Sequence, residues 1–199
     1  MIAVSSPDPA PRRARADASR NRDRILEAAR ILFAERGSQV QLPEVARAAG
    51  VGIGTVYRHF PAQSDLIEAA AEQRFAEIES FARGDCLRAA PGQAVLTYLA
   101  HVGELLSADR GLSAAIEAVR DSTSSAPRGA SLSRLTDAIA ELIESDRAAG
   151  ALRPDLTPGD VYMLVGAISA TVRTGSGDWR RLLELVRTGV SGPQRGDES

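Results

Sequence analysis

Lysine is absent. All 24 basic residues of the 199-residue chain are Arg, so every cationic contact to a polyanion must come from a guanidinium. Cysteine occurs once, as Cys86, which excludes a disulfide framework and any multi-thiolate zinc site. No neighbour in sequence would lower its pKa, so an inert thiol is expected. Histidine occurs twice, as His59 and His101, and aromatics make up 4% of residues. The longest strongly apolar stretch, Val161 to Val172, has 12 residues, against the roughly 20 of a membrane span. The first 20 residues lack the apolar segment of a secretory leader. A reducing cytoplasm, with no membrane partner, is the expected location.

What is present leans helical. Apolar residues make up 44% and charged residues 25%, which suits a soluble globular domain. Ala alone accounts for 34 residues, and Ala and Arg are strong helix formers. The net charge of −2 hides an asymmetry: residues 1–63 hold 10 Arg against 6 acids, and residues 64–199 hold 14 against 20. A basic first third on an acidic remainder suggests that one end meets a polyanion.

Four segments are expected: a disordered basic arm (1–18), a DNA-binding domain (19–63), a helical body (64–190) and a flexible tail (191–199). The arm holds three Pro with Arg12, Arg13 and Arg15. It would either rest on DNA or hang as an untethered terminus. From Asn21 an apolar face repeats at helical spacing through Ile25, Ala28, Ala29, Leu32 and Phe33, and Gly37 ends it. A short helix over Gln41 to Ala49 follows, with Pro43 in its first turn and Glu44 reaching back to its start. Gly50 to Gly52 turn the chain, and Ile53 to Phe60 form a third helix. A fourth starts near Ser64, read as its N-cap, and carries Leu66, Ile67, Ala70, Phe75 and Ile78 to about Phe81. Further helices open at Pro91, near Leu112, near Leu132, and over 159–174 and 179–189. No period-two pattern persists, so the expected fold is all-α with about nine helices.

Leu42 to Phe60 has the chemistry of a helix-turn-helix. Two short helices crossing closely need a small residue, supplied by Ala46, and a turn residue tolerant of positive φ, supplied by Gly50. Val45, Val51 and Val56 would fill the wedge. The run Ala48-Ala49-Gly50-Val51-Gly52-Ile53-Gly54-Thr55-Val56-Tyr57-Arg58-His59-Phe60 resembles the DNA-reading signature of TetR-family transcriptional regulators. The flanks, Ile25 to Gly37 and Pro61 to Leu66, resemble the same family. Two positions depart from it: Gly52 stands where a capping Ser is usual, and Gln63 where a phosphate-binding Lys is common.

The resemblance implies a double-stranded DNA operator, a homodimer, an unknown small-molecule effector and no cofactor. It implies a DNA-binding set of Gln41, Gly52, Ile53, Gly54, Thr55, Tyr57, Arg58, His59 and Gln63. Tyr57 and His59 would bond phosphates. Ile53, Gly54, Thr55 and Arg58 would line the major groove. Arg58 would take either a guanine edge or a phosphate, and Thr55 either a base or helix packing. Gln63 would bring a neutral hydrogen bond in place of a charge.

For the body, the almost wholly apolar stretch after Val161 demands burial on both sides. The resemblance implies a four-helix dimer interface, here Val161, Leu164, Val165, Ile168, Leu182, Leu183 and Val186. Residues 149–160 resemble the SbtR-like C-terminal subclass. An effector pocket is implied, with Phe75, Tyr98, His101, Glu117 and Met163 as candidate lining residues; for His101 a boundary packing role is the alternative. Catalysis is not expected. His101 and Glu104 share a helix face, but a metal would need more ligands, and no metal site is assigned. Gly50, Gly52 and Gly54 resemble part of a dinucleotide fingerprint, but no strand precedes them, and the third Gly it needs, three residues after Gly52, is Thr55. The competing reading from another class is a helical ligand-binding or scaffold dimer whose DNA-binding domain has degenerated, suggested by Gly52 and Gln63.

Overall fold

The computed structural model describes the backbone of residues 9–190 and the side chains of residues 16–187. Nine α-helices and no β-strand are found among the described residues: α1 (Pro9–Arg36), α2 (Leu42–Ala49), α3 (Ile53–His59), α4 (Gln63–Phe81), α5 (Ala94–Ala108), α6 (Arg110–Val119), α7 (Gly129–Ala148), α8 (Pro158–Thr174) and α9 (Trp179–Val190). The all-α architecture read from the sequence is the one observed.

Helix α1 begins earlier than expected. Residues 9–18, assigned to a disordered arm, are helical, and residues 1–8 lie outside the described residues, as does the 191–199 tail. Pro9 and Pro11 sit in the first turn, where a missing N–H leaves no bond unmade, and the Ala- and Arg-rich sequence behind them favours helix. The apolar period is silent over residues 16–20, which are exposed. From Ile25 onward it is kept: Ile25, Ala29 and Phe33 are fully buried.

Helices α1, α2 and α3 form the first unit. The Gln41 N–H donates to the Glu44 carboxylate at 2.9 Å, closing the start of α2. Gly50 ends it with φ of 64°, and the Val51 N–H reaches back to the Ala46 carbonyl at 3.0 Å, a left-handed C-terminal cap. Val45, Ala46 and Val56 are buried in the wedge as expected, while Val51 is half-buried. Helix α4 is capped differently from the expectation. Its N-cap is Ala62, whose N–H donates to Asp65 at 2.9 Å, and Ser64 already lies inside the helix. Asp65 also places a negative charge against the helix N-terminus.

Two features of the body were not legible beforehand. A π-helical turn, Ala82–Cys86, continues α4, and α5 starts at Ala94 rather than Pro91. The reason for the later start is Asp146 on α7. Its buried carboxylate accepts the N–H groups of Ala94 (3.0 Å) and Val95 (2.9 Å). It thus satisfies the first turn of α5 from across the core. Helix α7 buries Leu135, Ile139, Leu142 and Ile143, but Leu132, near its start, is 41% exposed.

Close approaches fix how the helices sit. A Cβ at Gly111 on α6 would lie 1.9 Å from the Phe33 carbonyl oxygen, so α6 rests directly on the end of α1. A Cβ at Gly103 on α5 would lie 2.3 Å from the Trp179 ring. Gly103 is therefore the seat into which the first residue of α9 inserts. Helix α8 turns Val161, Ile168 and Val172 into the core. Its opposite face carries Met163, Ala167, Ala170 and Thr174.

Candidate nucleic-acid interface and ligand cavity

The face of α3 away from the wedge is open. Ile53, Gly54, Tyr57 and Arg58 are exposed, and Thr55 and His59 are half-buried. This is the division that the spacing of a seven-residue helix demands, with Val56 inward and its neighbours outward. No atom lies within 4 Å of a Cβ placed at Gly52 or Gly54, so both backbones are free to approach a partner surface. Gly52 caps α3 with no side-chain bond. The Arg58 Nε–H donates to the Gly54 carbonyl at 3.0 Å, leaving the two terminal nitrogens of the fork pointing onward. The His59 ring tilts against Phe60 with centroids 6.2 Å apart. Gln41 is exposed at the N-cap of α2, and Arg47 adds an exposed cation on that helix.

Gln63, expected on this surface, is hydrogen-bonded within the chain. Its side-chain amide nitrogen donates to the carbonyls of Ser38 (2.9 Å) and Val40 (2.7 Å). Both donors of the amide are then engaged. Gln63 instead ties the start of α4 to the α1–α2 loop, and a Lys there would not be held in the same way. One local signal was available: an uncharged donor at a helix start beside a loop of free carbonyls.

In the body, a cavity of about 170 Å³ opens between α4, α5, α7 and α8 and the loop before α7. An engineered void of about 150 Å³ accommodates benzene, so this one has room for a small organic molecule. Of the five expected lining residues, Phe75 and Tyr98 are there. His101 is not: its ring stacks on Phe81 at 3.7 Å, and desolvation holds its pKa below the usual value. Glu117 lines a neighbouring cavity of about 190 Å³, which shares Leu106 and Ser169 with the first. Met163 lies on the outer face of α8, 66% exposed.

The dimer set also divides. Val161 and Ile168 are buried in the chain's own core, and the half-buried Val165 lines the cavity. An all-apolar helix gives no phase, so its sequence does not mark which residues turn into the core. Leu164, Leu182, Leu183 and Val186 are half-buried at the edge of the core.

Arg74, Ser125 and Tyr162 are among the lining residues that the sequence did not mark. Arg74 is 3% exposed, and burial pushes its guanidinium down to about 10, partly countered by Asp109. It stays a cation at neutral pH. Cys86 lies outside the cavity lining and is buried, and desolvation together with Asp85 and Asp146 pushes its thiol up to about 12. Because the thiolate is the nucleophile, iodoacetamide at pH 7.5 should leave Cys86 unmodified in the folded protein and alkylate it after unfolding. Mass spectrometry reads both states, and rapid labelling of the native chain would contradict its burial.

Among the described residues no cluster of His, Cys, Asp and Glu could hold a metal ion. None of the described helices is long and apolar enough to cross a membrane.

Residues 25–70 match the family model of bacterial regulatory proteins of the tetR family. Residues 90–191 match that of the transcriptional regulator SbtR-like C-terminal domain. A TetR transcription regulatory protein from Mycobacterium vanbaalenii is 32% identical with a TM-score of 0.68, over 89% of this chain and 99% of that one. A TetR transcriptional regulator from Streptomyces coelicolor is 34% identical with a TM-score of 0.64, over 86% of this chain and 98% of that one. An HTH-type transcriptional regulator of Staphylococcus aureus (strain USA300) is 47% identical over 53 residues, 26% of this chain and 29% of that protein. That last similarity spans less than a third of the curated relative.

Proposed function

As the chain belongs to the TetR family of bacterial transcriptional regulators, we propose that it binds a two-fold operator as a homodimer and releases it when a small molecule enters the body. The observation that carries this reading is the exposed face of α3, where Ile53, Gly54, Tyr57 and Arg58 stand clear of the wedge. Gly54 lets the backbone approach the duplex, Tyr57 and His59 bond phosphates, and the Arg58 fork reaches a base edge or a phosphate.

One recognition helix contacts too few base pairs to be specific alone. Two, held about 34 Å or a further turn apart, read successive major grooves. The outer stripe of α8, Met163, Ala167, Ala170 and Thr174, is the pairing face, with Leu164 and the half-buried leucines of α9 at its margin. Small residues at Ala167 and Ala170 permit close helix approach. This places the seam one face away from Val161 and Ile168.

Helix α4 links the two activities. It starts with Gln63 bonded to the α1–α2 loop and carries Arg74, Phe75 and Ile78 to the cavity wall. A ligand that prefers one orientation of α4 biases the spacing of the two α3 helices, and it acts only through that preference. The site of action is the cytoplasm.

Selection of bound duplexes from a random pool tests the reading. The expected product is a two-fold sequence with half-sites one or more helical turns apart. Its affinity should fall linearly with salt on logarithmic axes. Failure to enrich any duplex over a non-specific control would overturn it and favour a scaffold that no longer uses its DNA domain.

A further inference from the structure

The cavity is apolar along most of its wall, with Phe75, Ile78, Leu105 and Leu135 in it. Yet three polar side chains facing it are buried and without adequate partners. Arg74, 3% exposed, makes one side-chain hydrogen bond, from Nη1 to the Ser113 hydroxyl at 3.0 Å. Tyr98 is equally buried, and neither its hydroxyl nor that of Ser125 has a hydrogen-bond partner among the described residues. Yet neither is among the side-chain atoms fully shut off without a partner, which leaves the cavity as what they face.

A guanidinium has five N–H donors, and leaving a buried one without a carboxylate is strongly unfavourable. Every other buried or half-buried cation nearby is answered. Arg120, its neighbour, is held by both oxygens of Glu68 at 2.8 and 2.6 Å. For Arg74, the carboxylates of Asp109 and Glu117 act only through space, neither within ion-pair distance, and Arg120 opposes them. The fork of Arg74 is thus a preset receptor for two oxygens, at one edge of an apolar cavity of about 170 Å³.

We propose that this cavity takes a small amphipathic carboxylate, its anionic head on Arg74 and its hydrocarbon body along Phe75, Ile78 and Leu135. The Tyr98 and Ser125 hydroxyls are free to donate to the same head or to a second oxygen function. The proposal deepens the effector reading and rests on it.

Isothermal titration of the full-length protein with matched probes tests it: octanoate against octanamide and octan-1-ol, and phenylacetate against 2-phenylethanol. The acids should bind roughly ten- to hundredfold more tightly than their neutral partners. Arg74→Met should abolish that advantage while leaving the neutral compounds unchanged, because the apolar wall is kept. Equal affinities for acid and neutral probe in the unaltered protein would overturn the carboxylate assignment and leave the cavity as an effector site. Absence of binding by every probe, acid and neutral, would overturn both. The comparison in the unaltered chain decides the matter even if Arg74→Met fails to fold.

Discussion

Replacing Arg58 by Ala should weaken operator binding by roughly 30- to 25,000-fold, taking about 1–3 kcal/mol per half-site and two half-sites per dimer. The side chain is exposed on α3, and its Nε–H is already turned to the Gly54 carbonyl at 3.0 Å. That bond fixes the plane of the guanidinium and leaves the outer edge of the fork for the duplex. Two outcomes separate the alternatives for its role. If the fork reads guanine, Arg58→Ala relaxes sequence preference at one symmetric position of the operator. If it binds phosphate, affinity falls evenly across sequences and the salt slope decreases by about 2 per dimer. Band-shift titration on selected and scrambled duplexes at several salt concentrations measures both. Unchanged affinity and slope would remove Arg58 from the interface.

Asp146→Ala should be the most damaging single change to the body, lowering the unfolding free energy by about 2–5 kcal/mol. The carboxylate is 1% exposed and accepts two backbone N–H groups of α5. Removing it leaves both amides buried without acceptors, and the positive end of the α5 dipole loses its counter-charge. Asp146→Asn should fall between, since its one carbonyl oxygen replaces two. Urea unfolding at fixed protomer concentration reads the difference, the concentration being held because dimerisation contributes to apparent stability. A loss below about 1 kcal/mol would mean that water or a shifted helix start replaces the cap.

The DNA-binding half was readable because its signals are local. Ala46, Gly50 and Val56 specify a helix crossing within a dozen residues, and the turn at Gly50 adopts the left-handed conformation the motif needs. The body was readable only as a set of helices. Phase was lost in α8, where apolar residues on all sides hide which face meets the core. Val161 and Ile168, expected at a subunit seam, are buried in the chain's own core. Arg74 and Asp146 carry no local mark at all. Each is one more charged residue in a helix until tertiary packing buries it. The bonds of Gln63 were hidden for a related reason: they go to the carbonyls of Ser38 and Val40, more than 20 positions earlier in the chain.

The packing of Trp179 into the gap left by Gly103 has an optical consequence. The chain has one Trp and three Tyr. Trp179 is 6% exposed at the junction of α5 and α9, Tyr57 stands on the exposed face of α3, and Tyr98 and Tyr162 line the cavity. Each part of the molecule thus carries its own chromophore. Indole emission reports the docking of α9 alone, a red shift marking its release into water. Phenol absorbance divides between the exposed face of α3 and the cavity, so Tyr57→Phe should leave an ultraviolet difference spectrum in which the tyrosines report cavity occupancy only.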